Sequence, residues 1–300
     1  MSITLKKILV ATDGSEDAAL AVRAAIDLSN KTDAELHVVH TWRNLQPATL
    51  PAVATDEYWR ARKQYEQEAG ELLEEQAERL RNAGATVAGL HLREGRPADE
   101  IATLAEELEA DLVVVGSRGV GTVKRLVMGS VSEAIVHLAP CPVLVMRGGK
   151  EAWPPGDVVI GDDSSKEAKR AGELAAYLGR LFGTSALIVR AYSLPRARSA
   201  SARAAALRME DAGLQRDKDG LVERAGELES ILGRDRHVKV VAGDAAAVIQ
   251  KLAEEGKKPA LVAVGSRGLG VSKRLMLGSV STDTLRAVSG PVLIAPLPEV

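Results

Sequence analysis

The stretch VVVGSRGVGTVKRLVMGSVSEA, residues 113–134, decides the fold of the first half of the chain, and VAVGSRGLGVSKRLMLGSVSTD, residues 262–283, repeats it in the second half. In each copy a valine-rich run leads into Gly-Ser-Arg-Gly, a nine-residue spacer and a Gly-Ser pair that begins a helical pattern. Glycine lets backbone N–H groups approach an anion, and the first N–H groups of a helix carry the positive end of its dipole. The pattern therefore predicts a phosphate cradle in each half.

The spacing of the glycines argues against two common nucleotide motifs. A P-loop needs Lys and then Ser or Thr after its second glycine, but Thr122-Val123 follows GSRGVG here. A dinucleotide fingerprint would need glycine at Lys124 and would follow the first strand of its unit. The spacing Gly-x2-Gly-x9-Gly-Ser instead resembles the ATP-binding branch of the universal stress protein family, and the chain resembles a tandem member of it.

Composition limits the class of protein. The 300 residues, 46% hydrophobic and 27% charged, suit two α/β domains, and a net charge of −2 gives no electrostatic reason to expect a nucleic-acid partner. The apolar runs are too short to predict a membrane span or a signal peptide. Cys141 is the single cysteine, so no internal disulfide can form. We expect a cytoplasmic protein without a membrane or nucleic-acid partner.

Strands and helices alternate along both halves of the sequence. Several strands are continuous apolar runs, which predict a parallel sheet covered on both faces. In the first half the predicted strands are 8–11, 35–41, 86–92, 111–115 and 143–146, and the predicted helices include 56–82 and 130–138.

The two halves repeat each other at nearly constant offsets. Asp163 lies 150 residues after Asp13, and Gly265 lies 149 residues after Gly116. The segment Ala-Gly-Glu-Leu at 69–72 recurs 156 residues later. Offsets that change only between elements indicate a duplication with insertions in loops. We therefore predict domain 1 over 1–147, a linker over 148–156 and domain 2 over 157–300.

The family resemblance implies the detailed fold. Each half would be a Rossmann-like, adenine nucleotide alpha hydrolase-like domain with a doubly wound five-stranded parallel sheet of order 3-2-1-4-5. Ligands of such sheets bind beyond the carboxyl ends of the strands, where the strand order switches. That place lies between strands 1 and 4, where both glycine loops begin.

The resemblance also implies an ATP site in each half, with ADP or AMP as alternative ligands and Mg²⁺ as a candidate companion. In the first half Asp13 would contact adenosine with Ala11 and Thr12 beside it. The backbone of Val38 would hydrogen-bond adenine. The expected ribose and phosphate ligands are Gly116, Arg118, Gly119, Gly129, Ser130, Val131 and Ser132. The matching second set is Gly161, Asp163, Ile188, Gly265, Arg267, Gly268, Gly278, Ser279, Val280 and Ser281.

The second site differs from the first at one acidic residue. Asp162 stands where the first half has Thr12. Its carboxylate could repel phosphate or help to hold a divalent metal, and the metal ligands stay unassigned.

Several of these signals also have structural explanations. The glycine loops would serve as tight turns, and Ser130 with Glu133 forms the S-x-x-E pattern of a capping box. Asp13 and Asp163 would equally cap the helices that follow, and Arg118 would be a solvated loop charge. The five histidines show no metal-ligand spacing, and Cys141 fits a buried structural thiol.

The leading function hypothesis is a non-catalytic protein that binds ATP as a structural or signalling ligand in a stress response. The sequence offers no dedicated general base, Walker aspartate or activated nucleophile. One alternative is an enzyme, either a slow ATPase or an adenylyl-transfer enzyme. Another is an interaction module that binds no nucleotide. A homodimer is compatible with the resemblance, and no protein partner can be predicted.

Overall fold

The structure, a computed structural model, describes residues 3–43, 56–119, 128–192, 215, 218–266 and 277–296. These residues form two compact units, of which the first spans residues 4–149 and the second contains the residues from Lys150 onward together with Ile3. We call them the first and the second unit and describe each by itself.

The first unit is a parallel five-stranded sheet with helices on both faces. Its elements are β1 (Lys7–Ala11), α1 (Glu16–Thr32), β2 (Glu35–Trp42), α2 (Asp56–Asn82), β3 (Val87–Glu94), α3 (Pro97–Glu107), β4 (Leu112–Gly116), α4 (Ser130–Leu138) and β5 (Val143–Met146). The strand order is β3-β2-β1-β4-β5, and all neighbours run parallel. The predicted Rossmann-like fold is confirmed in this unit.

The second unit repeats this architecture. After a 3₁₀ turn (Lys150–Ala152) it contains β6 (Val158–Gly161), α5 (Lys166–Phe182), β7 (Ala186–Tyr192), α6 (218–232), β8 (Arg236–Ala242), α7 (Ala245–Ala253), β9 (Leu261–Gly265), α8 (Ser279–Ala287) and β10 (Val292–Ala295). The order β8-β7-β6-β9-β10 matches the first unit strand for strand. The tandem repeat predicted from the offsets is therefore present in the structure.

Small side chains bring the first helix of each unit close to the sheet. In α1 the residues Ala21, Ala24 and Ala25 are fully buried, and in α5 the residues Ala171 and Ala175 are fully buried. An alanine face lets the helix backbone approach the strands, because it adds almost no bulk between them. This close approach shapes the site described below.

The predicted linker over 148–156 is partly packed into the second unit. Trp153 is 1% exposed, and its ring meets the edge of Phe182 with ring centroids 4.9 Å apart. Gly156 N donates to the carbonyl of Pro259 at 3.2 Å. The domain boundaries themselves remain a prediction.

Helices α2 and α6 correspond with a shift that the sequence match did not predict. The buried residues Ala69, Leu73, Gln76 and Leu80 are repeated by Leu221, Ala225, Leu228 and Leu232, each 152 residues later. The sequence match has an offset of 156 residues, so the structure places α6 one helical turn away from the position that this match predicts. A slide of four residues keeps nearly the same stripe facing the sheet, because the helix repeats every 3.6 residues.

Candidate functional site

The ends of β1 and β4 lie side by side at the carboxyl edge of the first unit. Val10 pairs with Val114, so the chain leaves both strands at the same level. Beyond β1, the next residue, Thr12, is 5% exposed and donates its N–H to Val39 at 3.0 Å. The predicted Ala11 and Thr12 therefore line the crevice at which the strand order switches.

Asp13 forms a tight turn and reaches across to the glycine loop. Its Oδ1 accepts the N–H of Ser15 at 3.0 Å, while Ser15 Oγ accepts the N–H of Ala18 at 3.2 Å and caps α1. A Cβ atom on Gly119 would lie 2.3 Å from Asp13 Oδ2. Ser15, not Asp13, is thus the helix cap, and a side chain at Gly119 would displace the Asp13 carboxylate.

Gly116 is required by the close approach of α1. A Cβ atom there would lie 2.6 Å from the carbonyl carbon of Asp17 and 2.7 Å from Ala18 N. Both atoms belong to a helix backbone and cannot swing aside. The glycine therefore lets β4 deliver its loop directly beneath the start of α1.

The start of α4 is tied to the glycine loop by two hydrogen bonds. Gly129 N and Ser132 Oγ each donate to the carbonyl of Ser117 at 2.8 Å. The exposed Ser130 and its neighbour Val131 then form the first turn, and their N–H groups precede the first intrahelical bond, from Glu133 N to Gly129 O at 3.1 Å. Such leading N–H groups of a helix are available to an anion.

The predicted capping box at this helix is wrong. Gly129 occupies the cap position, Ser130 is already the first helical residue, and no side-chain cap bond is found within the described part of the helix start. The S-x-x-E pattern is displaced by one residue, because the Ser117 carbonyl fixes the chain at Gly129.

Arg118 is held in place by an aspartate that sequence reasoning did not identify. Its Nε and Nη2 donate to the two carboxylate oxygens of Asp17 at 2.9 and 3.0 Å, and Ser117 Oγ donates to the same carboxylate at 2.6 Å. The hydrogen bond to Asp17 raises the pKa of Arg118. Burial, and then the charge of Arg118, lowers the pKa of the neighbouring Arg147. Arg118 is therefore a fixed cation at the crevice, and no local signal predicts a partner about 100 residues away.

Val38 and Ile188 are not brought to the edge of the sheet. Val38 pairs with Val10 on one side and Leu90 on the other, and it is fully buried. Ile188 is fully buried in the same way, between Ile160 and Val238. Their backbone groups lie within paired strands, which does not favour the predicted contact with adenine.

His40 and Thr41 reach the crevice in place of Val38. Because Ala11 ends β1 opposite Val39, the next two residues of β2 extend past the end of β1. His40 Nδ1 contacts the carbonyl oxygen of Thr12 at 2.7 Å. A carbonyl only accepts hydrogen bonds, so Nδ1 is the protonated nitrogen and positions the loop that carries Asp13. Only the register between β1 and β2 reveals this role.

The second unit reproduces the same backbone arrangement. Ser165 N donates to Asp163 Oδ1 at 2.9 Å, and a Cβ atom on Gly265 would lie 2.6 Å from Ala168 N. Gly278 N donates to the carbonyl of Ser266 at 2.8 Å, and α8 then begins at Ser279. The remaining predicted residues Gly161, Val280 and Ser281 lie at the end of β6 and in the first turn of α8, whereas Arg267 and Gly268 lie outside the described residues.

The carboxylate of Asp162 is neutralised rather than exposed to a ligand. Arg190 Nη2 donates to its Oδ1, and Arg224 Nε lies 3.4 Å from its Oδ2. The Asp162 side chain is 3% exposed. Both oxygens therefore face guanidinium groups, an arrangement that fits neither of the roles expected for Asp162. Across the described ranges, no three His, Cys, Asp or Glu side chains group in a way that could hold a metal ion.

Comparison with known proteins decides the family. The model of the universal stress protein family matches residues 4–147 and 156–296. This chain belongs to the universal stress protein family. Universal stress protein YxiE of Bacillus subtilis is 35% identical over 149 residues, which cover 47% of this chain and 98% of the relative.

Two solved structures share the fold of the whole tandem chain. A universal stress protein from Archaeoglobus fulgidus is 22% identical, covers 97% of this chain and 98% of its own, and has a TM-score of 0.64. Protein PA1789 from Pseudomonas aeruginosa is 14% identical, covers 98% and 93%, and has a TM-score of 0.68. At these identities the likeness concerns the fold alone.

The first universal stress protein unit presents groups suited to hold an anion and a hydroxyl-bearing ligand. The helix start at Ser130 and the Arg118 guanidinium offer donors, while Asp13 offers acceptors. Groups of these kinds can hold and orient a ligand of that chemistry. None of the helices described in the structure is long and apolar enough to cross a membrane.

Proposed function

We propose that this universal stress protein binds an adenine nucleotide, ATP in the first place, at the carboxyl edge of each unit. The nucleotide acts as a structural or signalling ligand and favours the conformation that binds it better. The observation that carries the proposal is the pair of hydrogen bonds from Gly129 N and Ser132 Oγ to the Ser117 carbonyl. They hold a helix start beside Arg118 and opposite Asp13.

The charges of the crevice support a ligand with a phosphate end and a ribose end. Leading helix N–H groups and Arg118 favour the phosphates, and bound Mg²⁺ would offset part of their charge. The Asp13 carboxylate accepts hydrogen bonds from ribose hydroxyls, which are donors. Glycines at 116, 119 and 129 keep the floor of the crevice free of side chains, so that the ligand can approach the backbone.

The second unit supports the same proposal through its backbone. The turn at Asp163, the approach of Gly265 to α5 and the bond from Gly278 to Ser266 are all preserved. We therefore expect up to two nucleotides per chain.

The decisive measurement is the nucleotide released from the purified, denatured protein, determined by chromatography against protein concentration. We expect one to two equivalents of adenine nucleotide per chain. Calorimetric titration with ATP, ADP and AMP in the presence and absence of Mg²⁺ then ranks the ligands. No released nucleotide, together with no thermal stabilisation by Mg-ATP, would reject the proposal in favour of a nucleotide-free interaction module.

A variant at Arg118 tests the predicted cation. We expect Arg118→Met to weaken ATP binding at the first site by about tenfold, because one charge-assisted hydrogen bond to phosphate is lost. The matched control is Arg62→Met, which removes a partly exposed ion pair with Glu94 in the same unit. Equal affinities of the two variants would remove Arg118 from the site.

Steady ATP turnover by the unmodified protein would favour the enzyme alternative. Light scattering tests the predicted homodimer.

A further inference from the structure

A cleft with cationic walls lies in the second unit, between α5 and α6. It encloses about 270 Å³ and is lined by Lys166 and Lys169 of α5, Arg190 of β7 and Arg224 of α6. The hydroxyl-bearing Ser164 and Ser165 also line it. None of these residues belongs to the glycine loop after β9, although Asp162, Ser164 and Ser165 are chain neighbours of Asp163, a predicted nucleotide ligand.

The carboxylates of this cleft do not cancel its positive charge. Asp162 is paired with Arg190 and Arg224, and Glu227 is paired with Arg224 and Lys169. Glu223 stands on the exposed rim. The four cations and three carboxylates of the lining leave a net charge of +1. Lys166 makes no ion pair within the part of the chain that the structure describes.

Arg224 carries an unsatisfied donor. The residue is 9% exposed, and its Nη2 has no hydrogen-bond partner among the described residues. A buried guanidinium N–H without an acceptor is unfavourable, so such groups are normally met by an anion or by water. Because this nitrogen has no accessible surface, it adds positive charge behind the wall of the cleft and does not itself contact a ligand.

The first unit lacks this constellation at the corresponding positions. Lys166, Lys169 and Arg190 correspond, 150 residues earlier, to Glu16, Ala19 and His40. Arg224 corresponds to Leu72 in the alignment of the helices by burial. A Cβ atom on Gly14 would lie 3.2 Å from Leu72 Cδ1, so this leucine packs against the loop that follows β1. The positive charge is therefore specific to the second unit and is not required by the fold.

We propose that the cleft binds a small phosphate-type dianion, either inorganic phosphate or the phosphate group of a small monoester. Arg190 and Arg224 supply positive charge in the wall of the cleft, and the ammonium groups of Lys166 and Lys169 approach the anion from α5. Guanidinium and ammonium groups together are the donors that proteins use for phosphate. The volume is below the roughly 300–1,000 Å³ of pockets for drug-sized ligands, which favours a small anion over a nucleotide.

The test is a titration of the full chain with inorganic phosphate in a low-salt buffer, followed by calorimetry and thermal unfolding. The test variant is Lys166→Ala/Lys169→Ala, which alters two exposed side chains and leaves the buried arginines in place. The matched control is Lys251→Ala/Lys257→Ala, which removes two exposed lysines of the same unit outside the cleft. A parallel titration with glycerol phosphate distinguishes a monoester from the free ion.

We expect saturable phosphate binding that is weakened at least about tenfold in the test variant and unchanged in the control. The binding should persist when the protein is saturated with Mg-ATP. Absence of saturable binding, or an equal loss in both variants, would overturn the proposal. Loss of the phosphate signal in the presence of ATP would also overturn it, because the phosphate would then occupy the nucleotide cradle. Because the phosphate titration needs no bound nucleotide, its result stands even where no ATP binds.

Discussion

The loop after β1 and the loop after β6 share one backbone and differ in the side chains around it. In each loop an aspartate accepts the N–H of a serine, and that serine caps the next helix. Each loop also lies beside a glycine that lets the helix backbone approach closely. In the first unit the preceding residue is Thr12, with His40 and Leu72 around it. In the second unit the same place holds the Asp162 cluster, formed by Asp162, Arg190 and Arg224.

The comparison separates features that backbone geometry requires from features that depend on the neighbouring side chains. A Cβ atom at Gly116 or Gly265 would meet a helix backbone, so both units keep a glycine at this place. A buried carboxylate is tolerable only while its cations are present, so the Asp162 cluster can be exchanged only as a set. A similar backbone therefore coexists with an uncharged environment around Thr12 in the first unit and an ion-pair cluster in the second.

The largest expected effect comes from breaking the Asp162 cluster. We expect Arg190→Ala to lower the free energy of unfolding by about 3 kcal/mol, because it removes a main partner of a carboxylate that is 3% exposed. Urea unfolding of the full chain measures the loss. The control is Arg79→Ala, whose ion pair with Glu75 is more than half exposed on both sides and should contribute less than about 1 kcal/mol.

A set of exchanges sharpens this result. Replacing Asp162→Thr, Arg190→His and Arg224→Leu together installs the residues of the first unit. We expect the triple variant to be more stable than Arg190→Ala alone, because no charge is left buried without a partner. A triple variant that is no more stable than the single one would show that the cluster does not act as a set.

An intermediate effect should be the same in both units. We expect Gly116→Ala and Gly265→Ala each to cost about 2 kcal/mol, since each new Cβ atom would meet a helix backbone at 2.6 Å. The control is Gly226→Ala in α6, where no atom lies within 4 Å and alanine favours the helix. Unequal losses, measured by thermal unfolding, would contradict the structural equivalence of the two cradles.

The smallest effect is a pH dependence confined to the first unit. His37 Nδ1 and His91 Nε2 lie 3.1 Å apart, and burial, then the charges of His37 and Arg93, lower the pKa of His91 below 6.5. Between pH 6.5 and the lowered pKa of His91, the unfolded chain therefore binds more protons than the folded chain does. We expect stability to fall as the pH drops through about 6.5 and to level off below the lowered pKa.

Paired variants test the assignment of that pH dependence. His91→Gln should flatten the change in stability between pH 7 and pH 5. His237→Gln, on an exposed position of the second unit, should leave it unaltered. A slope that survives the first substitution would assign the dependence to other groups.

The sequence by itself determined the duplication, the five-stranded parallel units and the positions of the glycine loops. Continuous apolar runs predict buried parallel strands, and helix α4 and strand β5 begin and end where the pattern placed them. Gly116, Gly119 and Gly129 could be selected because glycine spacing reports local backbone needs, whereas Asp13 and Arg118 were selected through the family resemblance. Sequence reasoning succeeds at these glycine positions because each residue lies close in the chain to the turn or strand end that requires it.

Only the tertiary structure decided the surroundings of those residues. The pairing of Asp17 with Arg118 joins side chains about 100 residues apart, and the Asp162 cluster joins three separate elements. The burial of Val38, the role of His40 and the one-turn shift of α6 follow from strand register and helix packing. Hydrophobic periodicity does not predict strand register or helix position, because a strand shifted by two residues, or a helix shifted by four, buries the same face. Long-range ion pairs and core packing decide which of these positions the chain adopts. They differ between the two units, and so the surroundings of the two sites differ as well.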